Sequence, residues 1–184
     1  MIVVSYWTND AYKEYGLRME ASAKRLGLPT SCDALADRGS WQANNYIKPA
    51  FILDKLNQFN QPVLWVDADA VFHRMPDFLL WETSGFDVAA YYHGVKNPWA
   101  GTLFFQDNLA SRKLLKLWIR LIQEAQPGMD QDVLSTVLAK SYEFNTLRLP
   151  PSYCWVERFM RRHYPAAQPV IEHFTITRPV GSMR

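Results

Sequence analysis

The sequence predicts an α/β fold: one domain over residues 1–184, built on a mixed, mainly parallel sheet with flanking helices. Three observations predict it. The chain opens with a strand pattern, a polar turn and an amphipathic helix, the order in which most nucleotide-binding α/β domains begin. Val63-Leu64-Trp65-Val66 is a short apolar run of β-branched and aromatic type, the pattern of a buried strand, and it stops at two aspartates, Asp67 and Asp69. Further short apolar runs and helix-period stripes follow one another to the end of the chain, with no internal repeat, low-complexity run or linker that would mark a second domain.

Ile2-Val3-Val4-Ser5-Tyr6-Trp7 is the expected first strand, turning polar at Thr8-Asn9-Asp10. Asn9 or Asp10 caps the helix that follows; Ala11, Tyr15, Met19, Ser22 and Leu26 share its inner face, and Gly27 ends it. The turn has no glycine fingerprint, so a dinucleotide fold of the usual kind is not expected. Ser31-Cys32-Asp33-Ala34-Leu35 reads as a second strand, and Asp37-Arg38-Gly39-Ser40 as a loop. Residues 41–46 lead into a helix with Pro49 in an early turn and Lys48 at its entrance, where a cation and the positive end of the helix dipole would both face an anionic ligand.

After the aspartates, residues 75–80 form a helical turn, and Asp87 opens a strand through Tyr92. His93 to Trp99 reads as a loop before a strand at Gly101-Thr102-Leu103-Phe104-Phe105. Asn108 caps the clearest helix, with Leu114, Leu117, Trp118, Leu121 and Ile122 as its inward stripe and Pro127-Gly128 as its stop. Asp130-Gln131-Asp132 starts another helix, whose apolar face is Val133, Leu134, Val137 and Leu138. A strand at residues 146–149, the aromatic segment Tyr153-Cys154-Trp155, and residues 170–174 complete the chain before Arg178.

Chemistry concentrates at Asp67 and Asp69. In an extended chain alternate side chains share a face, so continued strand geometry would point both carboxylates the same way. Two such groups repel unless a cation or donors separate them, and a hard divalent ion suits oxygen ligands. Open α/β sheets bind ligands beyond the carboxyl ends of their strands, where this pair would lie. The competing assignment is a helix cap and a solvated carboxylate.

Composition narrows the classes. Twenty basic against 18 acidic residues leave a net charge of +2, too even for a general nucleic-acid binder. The one basic cluster, at residues 158–163, reads as a solvated helix face. Cys32 and Cys154 have no zinc spacing and are expected as free thiols. Neither a membrane span nor a secretory signal is evident, so a cytoplasmic protein is expected.

Together the motifs resemble the nucleotide-diphospho-sugar glycosyltransferases of the GT-A, Rossmann-like fold, with the retaining family 8 as the nearest pattern. The likeness rests on the order Asn44 to Lys48-Pro49, then Val63 to Asp69, Asp87, Ala100-Gly101-Thr102-Leu103-Phe104-Phe105, Asp130-Gln131 and His173. It implies a metal-dependent hexosyl- or pentosyltransferase that moves a sugar from a nucleoside diphosphate, UDP most of all, to an acceptor hydroxyl with retention. The acceptor could be a glycan, a lipid-linked glycan, a protein or modified DNA. By the same resemblance Asp67, Asp69 and His173 hold Mn²⁺ or Mg²⁺, with Mn²⁺ preferred because it tolerates an imidazole. Thr8, Asn9, Asp67, Lys48, Gly101 and Arg178 would bind the donor, Thr8 and Asn9 at the nucleoside and Lys48 and Arg178 at the diphosphate. Asp87, Asp130 and Gln131 would line the reacting side. Around the late histidine the sequence departs from family 8: His173-Phe174-Thr175-Ile176-Thr177-Arg178-Pro179 lacks the family's glycine and has arginine for lysine. Two rival readings use the same aspartates: a nucleotidyltransferase or hydrolase, and a non-catalytic nucleotide-binding relic.

Overall fold

The computed structural model describes residues 1–124, 130–139 and 143–174. Its central sheet has six strands: β1 (Ile2–Trp7), β2 (Thr30–Ala34), β3 (Val63–Val66), β5 (Val88–His93), β6 (Asn97–Phe105) and β7 (Thr146–Arg148), in the order β2-β1-β3-β6-β5-β7. Only β6 runs against the others. The expected mixed, mainly parallel sheet is therefore present. A second, two-stranded ladder pairs β4 (Ala70–Phe72) with β8 (Ile171–His173).

The continuous apolar runs exist because both sheet faces are covered. Val4, Trp65 and Leu103 enter one core with Ile52 and Leu56 of α3 (Lys48–Phe59), Leu114 and Trp118 of α5 (Leu109–Glu124) and Leu134 of α6 (Asp130–Ala139). Their neighbours Val3, Leu64 and Phe104 enter the other with Met19 and Ala23 of α1 (Asp10–Arg25), Leu79 of α4 (Asp77–Trp81), Phe72, Trp155 and Ile171. This alternation is the strand period of two made visible. Two short helices, α2 (Trp41–Asn45) and α7 (Glu157–Met160), lie in the connections.

Three local expectations need correction. The buried face of α1 is Gly16, Met19, Ser22 and Ala23, whereas Ala11 is exposed. Trp7 packs where a side chain on Gly16 would stand, and that contact rotates the helix away from the face its apolar spacing suggests. Residues 93–99 are mostly a hairpin: His93 pairs with Asn97 and Tyr92 with Pro98, so β6 begins four residues before Gly101. The pairing shifts between Ala90 and Tyr92, and the bulge lets residues 99–101 leave β5 and turn toward the end of β3. Finally, β3 stops at Val66, and Asp67 to Asp69 form a turn in which Ala70 N donates to Asp67 O. Cys32 and Cys154 are free thiols, as expected. The proposed stop at Pro127-Gly128 and Arg178 lie outside the described residues. No described helix is long and apolar enough to cross a membrane.

Candidate metal centre and cleft

The turn after β3 and the β4–β8 ladder together build the site. Asp67 N donates to Gly101 O at 2.9 Å, which ties the turn to β6. Ala70 pairs with His173, so the ladder sets that histidine beside Asp69 although a hundred residues separate them. Phe174 N closes the arrangement on Asp69 O at 3.1 Å. One ligand atom from each of Asp67, Asp69 and His173 lies within 4.8 Å of the other two. Ligands of one hard cation, each about 2.0–2.6 Å from it, stand about 3–5 Å apart, so the spacing fits an ion. The carboxylates converge through the turn, not through the strand alternation the sequence suggests.

The chemistry of the donors fits as well. Trp65 Nε1 donates to Asp67 Oδ1 at 2.9 Å and Lys48 Nζ stands 3.2 Å from the same oxygen, leaving Oδ2 to face a cation. Thr102 Oγ1 lies 2.8 Å from His173 Nε2, so a proton on Nε2 leaves the Nδ1 lone pair on the side of Asp69, whose Oδ1 is 3.8 Å away. Gly101 is part of this geometry: a Cβ built on it would meet His173 Cε1 at 3.0 Å, Nδ1 at 3.2 Å and Cys154 Sγ at 3.4 Å. A bare Cα at this position makes room for the imidazole.

Charge is strained here. Partial burial, with the side chain 35% exposed, and the adjacent Asp69 push the Asp67 carboxyl above its usual range, although Lys48 pulls the other way. For His173, burial works against the imidazolium, but the Cys154 sulfur and Asp69 outweigh it and push the group up to about 10. An anion-rich pocket that holds its imidazole protonated is one that a divalent cation can enter by displacing that proton.

Beside the pair lies a cleft of about 410 Å³. Thr8 and Asn9 line it with Tyr12, Trp41, Asn44 and Asp37. Asn9 Oδ1 also caps α1 by accepting from Tyr12 N at 3.1 Å. The Tyr12 hydroxyl is buried with no hydrogen-bond partner, and burial near the aspartates pushes it up to about 12. An orphan hydroxyl on a cleft wall suits a polar ligand.

Three expected positions are different from their sequence reading. Lys48 is buried, and its ammonium is shared among Asp130 Oδ2 at 2.9 Å, Asp67 Oδ1 and Ala100 O at 3.2 Å. The Ala100 contact is a hydrogen bond and the two carboxylates are ion partners, so the ammonium is engaged inside the protein and does not stand free at the helix entrance. Burial disfavours its charge, but Asp130 and Asp67 reverse this and raise its pKa. Asp130 is thus joined to the site through Lys48, while Gln131 Nε2 donates to Asn97 Oδ1 at the hairpin, 3.2 Å away. Asp87 precedes β5, where Val88 is level with the start of β3, so it lies at the opposite end of the sheet from Asp67. Its carboxylate accepts from Asn108 Nδ2 and Asn145 N, each at 2.8 Å. Asp87 is a structural anchor for α5 and β7, not a residue of the reacting side.

Thr102, Cys154 and Trp41 carry no motif that marks them as site residues, and Tyr12 reads from sequence as an aromatic that could stack on a base but is better explained by core packing. The signals were faint: a hydroxyl beside a strand glycine, and an aromatic at a capped loop.

The fold is that of glycosyltransferases of known structure. One is the glycosyltransferase involved in the glycosylation of the major capsid of PBCV-1: TM-score 0.69, 13% identity, covering 95% of this chain and 94% of that one. A second is the bifunctional glycosyltransferase WbbM: TM-score 0.68, 14% identity, covering 95% of this chain and 45% of that one. Neither a protein-family profile nor a curated protein matches the sequence. At these identities the likeness is one of fold.

Proposed function

We propose that this chain is a metal-dependent glycosyltransferase that takes its sugar from a nucleoside diphosphate donor, UDP-linked by preference, and delivers it to an acceptor hydroxyl. The observation that carries the reading is the meeting of Asp67, Asp69 and His173 at the edge of the cleft, on this fold. Those three residues would hold Mn²⁺, or Mg²⁺. Bound there, the ion supplies positive charge for the diphosphate as it departs.

The protein's own contribution is positioning. Thr8, Asn9 and the orphan hydroxyl of Tyr12 face the nucleoside, and Trp41 offers a ring for the base. Trp65 and Lys48 fix Asp67 by one oxygen, and Thr102 fixes the ring of His173. Retention belongs to the same reading. Asp130 is buried and ion-paired with Lys48, so it is poorly placed to take a proton from an acceptor as an inverting base would. Arg178 remains the proposed diphosphate contact from the C-terminal segment.

Isothermal titration of UDP with Mn²⁺ tests this. Asp69→Ala should abolish both the metal-enhanced part of UDP binding and turnover of a UDP-sugar. Unchanged UDP affinity in that variant counts against the reading, and pyrophosphate released from a nucleoside triphosphate as its nucleotidyl group passes to an acceptor would favour the nucleotidyltransferase.

A further inference from the structure

We propose that the acceptor is a glycan, and that one of its pyranose rings is seated on an aromatic shelf formed by His93, Trp99 and Phe159. This rests on the transferase reading above and names the other substrate of the same site.

The strand order puts the shelf where a second substrate must come. The cleft is built over the carboxyl ends of β1 and β3 and the segment after β2. The metal residues stand at the boundary of β3 and β6, and β5 lies beyond. His93 ends β5 and Trp99 opens the bulged part of β6, on the same edge of the sheet as Asp67. Trp99 precedes Gly101 by two residues, about 7 Å of strand, and the imidazole of His173 takes the space a side chain on Gly101 would fill. That step is of the order of one sugar ring. None of the shelf residues lines the cleft, so an occupant of the shelf stands outside the space left for the nucleotide.

The chemistry selects a sugar. The indole of Trp99 stacks on His93, with ring centres 5.6 Å apart and planes 25° apart, and meets Phe159 edge-on at 6.3 Å. His93 is exposed and Phe159 is 38% exposed. The guanidinium of Arg158 lies over one face of the Phe159 ring, 4.5 Å from its centre. Aromatic faces interleaved with hydrogen-bond donors match a pyranose, which has an apolar C–H face and a circle of hydroxyls. An acyl chain would call for a wider aliphatic groove, and an extended peptide for an open strand edge; here β5 is paired on both sides, by β6 and β7.

The test is saturation-transfer NMR with methyl pyranosides of glucose, galactose, mannose and N-acetylglucosamine, added to the protein with UDP and Mn²⁺. At least one should bind, and either His93→Ala or Phe159→Ala, both at exposed rings, should weaken it about five- to tenfold. UDP·Mn²⁺ affinity should stay as in the parent, which also reports that each variant is folded. Absence of pyranoside binding while UDP·Mn²⁺ binds overturns the shelf and leaves the transferase reading standing, as does pyranoside binding unaffected by both variants. A parent protein that binds no UDP·Mn²⁺ overturns the transferase reading, and the shelf's role as acceptor site with it.

Discussion

Replacing Lys48 with methionine keeps an unbranched stem in the core and removes the ammonium that joins Asp67, Asp130 and Ala100 O. The side chains of Lys48 and Asp130 are 3% and 6% exposed, so the substitution leaves a buried carboxylate without its counterion. Breaking a buried pair from one side costs about 3–5 kcal/mol. The Asp67 arm counts for less, because that side chain is 35% exposed and water screens it. A loss of about 3–4 kcal/mol is therefore expected, or a fall in Tm of about 6–16 °C for a chain of this size. Asp130→Asn in the Lys48→Met background should recover part of the loss, with a coupling of about 1.5–3 kcal/mol in the double-mutant cycle. The pKa of Lys48 is raised by the fold, so its contribution is fully present below the unfolded value of about 10.4 and disappears only as pH rises through the folded one. The deficit should then be level between about pH 6 and 9. Urea unfolding of the four proteins measures all of this. A deficit under about 1 kcal/mol, or strictly additive effects, would show that the triad does not hold the site together.

Other expectations follow from the same geometry. Gly101→Ala puts a methyl 3.0 Å from His173 Cε1, so Mn²⁺-induced stabilisation in a thermal melt should drop sharply, while metal-free stability falls by about 1–3 kcal/mol. Manganese must displace the proton that Asp69 and Cys154 hold on His173, whose ring also faces Thr102. Affinity by calorimetry should therefore rise about tenfold per pH unit toward about pH 10 and flatten above it, and His173→Ala should lose that slope. Without metal, the sign is opposite: the raised imidazole pKa contributes stability that is whole below 6.5 and is lost as pH rises toward about 10. A pH-independent Mn²⁺ affinity would exclude the imidazole as a ligand. Asn9→Ala should cost about 1 kcal/mol of stability through the lost helix cap, and Asn9→Asp should restore it. A nucleotide-binding defect that persists in Asn9→Asp would then report the free amide rather than the cap.

The sheet and the ends of its strands were legible in the sequence because their causes are local. A short β-branched run such as Val63-Leu64-Trp65-Val66 has few ways to bury both faces other than as an inner strand. Asn9 and Asn108 announce their helices by accepting from backbone N–H groups three residues on. The acidic pair needed no partner to be noticed, since two carboxylates after a buried strand call for a cation wherever they occur. Contacts between distant segments were not legible. The family resemblance names His173 and Gly101, but His173 reaches the aspartates only because Ala70 pairs with it, and Gly101 makes room for its ring only because the bulge in the β5–β6 pairing brings it there. Lys48 reads as a free cation at a helix entrance until Asp130, 82 positions later, closes on it. Asp87 is removed from the site by strand direction alone, a property that exists only when β3, β6 and β5 are laid side by side. Residue type and spacing decide what a segment can form and which groups carry charge; which of those charges meet is decided by how the packed elements close, since attraction between buried groups depends on distances that no stretch of chain fixes by itself.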